Sequence, residues 1–133
     1  NVLMGTEVRI CFKFNSNKIL IKPNFGFGIE NIYAQRIFSF NNYILGIEIE
    51  NIKEGIATCY IPELPLLPGN YLISFAIVEM ETIFIDYIER AMNFTVIAND
   101  IFGSGKILEP SQGIIYTRGE ITVKGTEQWY THK

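Results

Sequence analysis

Four carboxylates that lie close together form the densest chemical cluster of this sequence, namely Glu79, Glu81, Asp86 and Glu89. Two carboxyl groups facing one cleft could act as acid and base in glycoside hydrolysis. A solvated strand edge explains the same cluster more simply and is the favoured interpretation. The only histidine, His132, is the next-to-last residue, so a nucleophile pair or a histidine zinc site has no base or ligand set. The sequence therefore predicts no enzyme, no metal and no cofactor.

Other function classes are excluded by motif and charge. The segment 103–106 (GSGK) is similar to part of a phosphate-binding loop, but Asp100 and Ile107 stand where that motif requires glycine and a hydroxyl residue. The net charge is −3 and the basic residues are scattered, so no basic patch for nucleic acid is expected. The apolar stretches are much shorter than the roughly 20 residues of a membrane span. The sequence predicts neither nucleotide or nucleic-acid binding nor insertion into a membrane.

Aromatic side chains offer a different chemistry, because a sugar ring stacks its C–H face on an aromatic plane while its hydroxyls bond to amides and carboxylates. The aromatics considered for this role are Phe25, Phe27, Tyr33, Tyr43, Tyr71 and Tyr87, although most of them must belong to the core. Alternation along the predicted strands places Arg9, Tyr43, Glu48 and Glu50 on outward faces. These four residues are predicted to bind carbohydrate.

The elements that must position these residues are strands. Period-two alternation predicts strands at residues 8–14, 25–30, 37–40, 44–50, 56–61, 71–78 and 93–98, with 71–78 central because both of its faces are apolar. A helical turn is predicted at 86–91, and strand-like pieces at 113–116 and 120–124. Gly26 and Gly28 leave a bare strip that predicts either a bulge, the favoured alternative, or the close approach of a backbone or ligand.

Composition and strand pattern together predict one all-β domain over residues 1–133, an antiparallel β-sandwich of immunoglobulin-like or jelly-roll type. A chain of 133 residues with 48% hydrophobic residues is long enough for one core. Cys11 and Cys59 either form a disulfide or stay reduced, and the lack of a Trp between them favours the reduced state. Because the sequence starts at Asn1, we expect a fragment of a longer protein. The break at 103–105 predicts a detachable tail at 103–133.

Several segments, taken in order, resemble one known family. They are residues 5–10 (GTEVRI), 24–29 (NFGFGI), 63–71 (ELPLLPGNY), 85–87 (IDY) and 93–96 (NFTV). Over residues 5–116 the chain resembles the C-terminal carbohydrate-binding domain of Wzt-type ATP-binding subunits of bacterial O-antigen ABC transporters. The segment 85–87 adds Asp86 and Tyr87 to the predicted carbohydrate-binding residues. The alternative role of Asp86, and the favoured one, is to cap the predicted helical turn.

The resemblance implies a non-catalytic module for lipopolysaccharide export. It would bind the finished end of the O-polysaccharide in the cytoplasm, at the inner membrane, and would reach the transporter's membrane subunit through an ATPase half that this sequence lacks. It also implies a homodimer in which a C-terminal strand, within 103–133, is exchanged between subunits. The alternative function is a structural or adhesive immunoglobulin-like module that binds proteins.

Overall fold

The computed structural model describes the backbone of residues 1–79 and 83–125 and the side chains of residues 1–79 and 92–125. Its elements are β1 (Val2–Leu3), β2 (Val8–Leu20), β3 (Pro23–Asn31), β4 (Arg36–Asn41), β5 (Ile52–Ile61), β6 (Gly69–Glu79), β7 (Ile83–Ile97) and a 3-10 helix (Pro110–Gln112). The strands form a five-stranded sheet in the order β1-β7-β6-β3-β4 and a two-stranded sheet of β2 and β5. All neighbours are antiparallel except β1 and β7. The predicted all-β fold is confirmed.

Aromatic residues join the two sheets. On β2, the predicted alternation buries Ile10 and half-buries Phe12, while the intervening Cys11 is exposed. The ring of Phe12 stacks on that of Phe75 in β6 with 4.3 Å between centroids. Burying a side chain of this size contributes roughly 1.5–3 kcal/mol, so contacts of this kind hold the two-stranded sheet on its larger partner.

The two cysteines lie on neighbouring strands but on opposite faces of the small sheet. Cys59 is the backbone partner of Ile10 and is buried, whereas Cys11 is exposed. Both are free thiols, and burial raises the pKa of Cys59 to about 12. The reduced alternative is therefore the one found.

Strand β6 lies in the middle of the large sheet, between β7 and β3, as its two apolar faces predict. The turn before it is closed by Tyr71, whose buried hydroxyl donates a hydrogen bond of 2.6 Å to the carbonyl oxygen of Leu67. This tyrosine corner directs the chain from the loop at residues 62–68 into the central strand.

The strand predicted at 44–50 is wrong, because the chain forms a loop at residues 42–51. The N–H groups of Leu45 and Ile47 donate to the carbonyl oxygens of Asn41 and Asn42, and Gly46 has a left-handed φ of 72°. These local hydrogen bonds occupy the backbone groups that a strand ladder would have used. Alternating isoleucines alone were an insufficient signal for a strand.

The helical turn predicted at 86–91 is also wrong. Strand β7 is paired with β6 through this region, with Asp86 opposite Ile77 and Tyr87 opposite Ala76. Pairing along a central strand satisfies more backbone groups than one helical turn could, so it overrides the helical spacing of the apolar residues.

The strands predicted at 113–116 and 120–124 do not form. At 113–116, a single β-bridge joins Ile115 to Leu66. Residues 120–124 belong to no strand of the described chain. A strand-like sequence pairs only where an unpaired strand edge lies beside it, and in this structure no described strand pairs with this segment.

Gly26 and Gly28 do not form the favoured bulge. Both are in continuous register with β4 and β6, and the irregularity lies between Ile29 and Glu30. The guanidinium of Arg36 lies over Gly28, in the space that a Cβ would fill. There it donates to the buried carboxylate of Glu30 at 3.3 Å. The bare strip thus accommodates a side chain of the same domain.

Candidate functional site

A cavity of about 680 Å³ opens at the end of the sandwich where β3 begins and where the loop at 42–51 joins β4 to β5. We call it the end cavity. Its lining residues are Lys22, Pro23, Asn24, Asn42, Tyr43, Ile47, Glu48, Ile49, Glu50 and Asn51. The volume lies within the range of sites that bind small molecules, roughly 300–1,000 Å³.

Asn42 holds one wall of the end cavity together. Its Oδ1 accepts a hydrogen bond of 2.6 Å from the N–H of Phe25, and its Nδ2 donates to the carbonyl oxygens of Ile47 at 3.0 Å and Pro23 at 3.3 Å. One amide therefore ties β3 to both ends of the turn at 42–47. All of its bonding capacity except one oxygen lone pair is used inside the protein.

Three further asparagines have the same role around the end cavity. Asn24 accepts from the N–H of Tyr43 at 3.1 Å, and Asn41 accepts from that of Ile44 at 2.8 Å. Asn51 accepts from the N–H of Lys22 at 3.0 Å. Short polar side chains of this kind substitute for missing backbone partners in loops. The amide oxygens thus hold the loop and the start of β3 in place.

Glu79 fastens the corner that precedes Lys22. One of its carboxylate oxygens accepts from the N–H of Ile21 at 2.7 Å and the other from Lys18 Nζ at 3.2 Å. The bond from the Ile21 N–H, followed by that from Lys18, holds the pKa of this carboxyl below its usual range. Glu79 thus serves the scaffold. The other carboxylates of its cluster, Glu81, Asp86 and Glu89, have side chains outside the described residues.

Tyr43, Glu48, Glu50 and Lys22 supply the chemistry that remains available to a ligand. Tyr43 is 61% exposed, and the other three side chains are exposed as well. Neither Glu48 nor Glu50 has a side-chain hydrogen bond or ion pair to another described residue. An open aromatic face beside unpaired carboxylates and an ammonium group suits a neutral, hydroxyl-rich ligand. Within the described chain, no group of three His, Cys, Asp or Glu residues could hold a metal ion.

An apolar groove of about 400 Å³ adjoins the end cavity. It runs along the edge of β5 that faces away from β2, and we call it the β5 groove. Its walls include Phe14, Phe25, Phe40, Leu45, Ile52 and Ile56. Asn42, Ile47 and Ile49 line both the groove and the end cavity. The loop at 42–51 therefore separates a cavity that carries charged and amide side chains from a groove lined mainly by apolar ones.

The opposite end of the sandwich carries a cluster that we call the tail clasp, formed by Glu63, Tyr116 and Arg118. The carboxylate of Glu63 accepts from the Tyr116 hydroxyl at 2.6 Å and from Nε and Nη2 of Arg118, each at 3.1 Å. The hydrogen bond from Tyr116, followed by those from Arg118, lowers the pKa of Glu63. Burial of the Tyr116 side chain, followed by its hydrogen bond to Glu63, raises the pKa of Tyr116 to about 12. The clasp holds the chain against its own domain as far as Arg118.

Comparison with known proteins places this architecture in a family. The family model described as the Wzt C-terminal domain matches residues 1–117. The chain belongs to the Wzt C-terminal domain family. The resemblance predicted from the sequence is therefore confirmed. A solved structure entitled "Crystal structure of the C-terminal domain of wzt" matches 92% of this chain and 73% of its own, with a TM-score of 0.71.

The two domains share 14% sequence identity, so this likeness establishes the fold alone. Comparison with curated proteins finds no matching sequence. In the described part of this Wzt-family domain, no helix is long and apolar enough to cross a membrane.

The Wzt-family domain brings together three of the residues predicted to bind carbohydrate, since Tyr43, Glu48 and Glu50 all line the end cavity. Arg9 lies elsewhere, on the outer face of β2, with its guanidinium 4.3 Å from the ring centroid of Tyr60. Asp86 and Tyr87 lie on β7, and their side chains are outside the described residues.

Of the aromatic side chains considered for stacking, Tyr33 and Tyr43 are exposed, at 81% and 61%. Phe25, Phe27 and Tyr71 belong to the core. Only Tyr43 among these five lines the end cavity.

Sequence reasoning missed the other polar residues of the end cavity, namely Lys22, Asn24, Asn42 and Asn51. Asparagine is a typical turn residue, which is a usable signal, because side chains that stabilise a turn often also shape the site beside it. Lys22 adopts a left-handed φ of 46°. No local pattern in the sequence indicates this conformation.

Proposed function

We propose that this domain is a non-catalytic polysaccharide-binding module that recognises the O-antigen chain for export by an ABC transporter. The observation that carries the proposal is the end cavity, where Tyr43, Glu48 and Glu50 are free to bind a ligand. A sugar ring stacks on Tyr43 while its hydroxyls donate hydrogen bonds to the two carboxylates, and Lys22 donates to ring or hydroxyl oxygens. Membership of the Wzt C-terminal domain family supports this choice of ligand.

In this proposal the bound part of the polysaccharide is its terminal end. The domain works in the cytoplasm, beside the inner membrane, and an ATPase half of the full protein links it to the transporter's membrane subunit. These points rest on the family, since the geometry of the end cavity itself supports only the binding of a hydroxyl-rich ligand.

The test is calorimetric titration of the O-polysaccharide purified from the source strain, with and without its terminal modification. We expect Tyr43→Ala to weaken binding roughly 30-fold, as the loss of a central aromatic contact of about 2 kcal/mol would do. Tyr33→Ala is the matched control, because Tyr33 is also exposed but lies in the loop between β3 and β4 and does not line the end cavity. Equal losses in both variants would contradict the site. Equal affinity for modified and unmodified chains would contradict end recognition.

We also propose that two copies assemble by exchanging the segment at residues 119–125. In this segment Ile121 and Val123 are 93% and 88% exposed, and they alternate with Thr122 and Lys124. This pattern suits a strand with one apolar side, and the β5 groove combines an apolar wall with an unpaired strand edge. In this proposal the exchanged part of the predicted 103–133 segment begins after Arg118, because the tail clasp attaches Tyr116 and Arg118 to their own domain.

Light scattering tests the exchange. We expect a dimer for the full chain and a monomer for the double variant Ile121→Asp/Val123→Asp, because an aspartate cannot be buried unpaired in an apolar groove. Thr122→Asp adds charge on the alternate side of the strand and should remain dimeric. A monomeric full chain would contradict the proposal.

A further inference from the structure

We infer that the loop at 42–51 couples the two proposed sites, so that a partner's strand in the β5 groove raises the affinity of the end cavity for glycan. The inference rests on the proposed function and on the proposed exchange. It adds a regulation that neither requires, because two sites on one domain need not influence each other.

The loop at 42–51 contributes side chains to both the end cavity and the β5 groove. Tyr43, Glu48 and Glu50 line the end cavity, whereas Leu45 lines the β5 groove. Ile47 lines both. Any shift of this short segment toward one site therefore changes the shape of the other.

The two halves of the loop are held to different degrees. In residues 42–47, the turn hydrogen bonds and the Asn42 amide fasten the chain to β3. Residues 48–50 carry both carboxylates, yet no backbone hydrogen bond joins them to another described residue. Their position depends on how Ile47 and Ile49 pack, and Ile47 is 52% exposed while the groove is open.

A strand in the β5 groove would supply the packing partner that the exposed side chains of the loop lack. It would cover Ile47 and Leu45, which are 52% and 56% exposed, and so remove apolar area from water. This gain is available only when the loop closes on the strand, so it favours one loop conformation over the others. A glycan that binds the same conformation is bound more tightly for that reason.

The occupant we assign to the groove is the segment at 119–125 of a second copy. Ile121 and Val123 offer two apolar side chains on one side of an extended chain. Residues 56–60 of β5 line the groove and offer a backbone edge of matching length. In the structure the segment is exposed and leaves its own groove open, which agrees with a place in a partner.

The experiment compares the full chain with Ile121→Asp/Val123→Asp and with Thr122→Asp as the matched control. All three altered residues are exposed, so the full chain and both variants should fold. The probes are the O-polysaccharide of the source strain, titrated by calorimetry, and hydrogen exchange of the backbone amides of residues 44–50. We expect the double variant to be monomeric, to bind glycan at least about fivefold more weakly, and to exchange faster in the loop. By linkage, saturating glycan should tighten the dimer of the full chain by the square of that factor, at least about 25-fold, because the dimer holds two glycan sites.

The outcomes separate this inference from the proposals beneath it. A monomeric double variant with unchanged glycan affinity and unchanged loop exchange would overturn the coupling and leave the glycan site intact. If the full chain bound no O-polysaccharide, the proposed function would fail, and loop exchange alone would decide whether groove and loop are coupled. If the full chain is monomeric, and if its loop exchanges slowly with the natural tail but fast in the double variant, the tail occupies the groove of its own chain. That result would overturn the assignment of a second copy as the occupant.

Discussion

The charged side chains that line the end cavity and those of the tail clasp are used in opposite ways. At the end cavity, asparagine amides hold the loops, and the charged groups of Lys22, Glu48 and Glu50 are left exposed. At the other end, the charged groups bind each other, since Glu63 is shared by Tyr116 and Arg118. Charges that are paired within the domain stabilise an attachment, whereas charges left free can bind a ligand. The difference is a reason to place the binding site at the first end.

The largest effect that tests this contrast is expected at Asn42. Asn42→Ala removes three hydrogen bonds and leaves the N–H of Phe25 without a partner, so the free energy of unfolding should fall by about 2–3 kcal/mol. Asn51→Ala removes one bond and should cost about 1 kcal/mol. Urea unfolding measures both. Equal and small losses would mean that the amides do not build the wall of the end cavity.

A smaller effect is expected at the opposite end, at the tyrosine corner. Tyr71→Phe keeps the ring but removes the buried hydrogen bond to Leu67, so the free energy of unfolding should fall by about 1–2 kcal/mol. Glycan affinity should not change, because Tyr71 does not line the end cavity. Tyr60→Phe removes an exposed hydroxyl and serves as the control, with an expected change within about 0.5 kcal/mol. A loss of glycan affinity in Tyr71→Phe would show that the two ends are not independent.

The smallest effect concerns the tail clasp and is seen as a dependence on pH. The folded pKa of Glu63 is lowered, so its bonds stabilise the clasp above the unfolded pKa, and this contribution is lost as pH falls through the folded pKa. Glu63→Gln should therefore lower the urea midpoint at pH 7, with the gap to the unchanged chain closing at acidic pH. A gap that persisted at low pH would show that the carboxylate's charge is not what holds the tail.

How far the sequence predicted the site is clearest at the loop of residues 42–51. Alternation placed Tyr43, Glu48 and Glu50 outward, and all three do line one cavity, but the strand from which this was argued does not exist. Their outward placement is correct because polar residues among isoleucines face water in a loop as well as in a strand. Their role in carbohydrate binding stays a prediction. It could not identify Asn42 as the centre of the wall, since the partners of Asn42 on β3 are far away in sequence.

The sequence by itself determined the class of fold, because alternation of apolar and polar residues gives one apolar face only in a strand, and a high content of isoleucine and phenylalanine favours strands. Tertiary structure decided the rest. Register with β6 made a strand of 83–97 in place of a helical turn, and the Asn42 side chain, bonded to Phe25 and Pro23 of β3, anchors the loop that replaces the strand predicted at 44–50. Each choice depends on hydrogen-bond partners that become neighbours only once the chain has folded, and no window of sequence contains them.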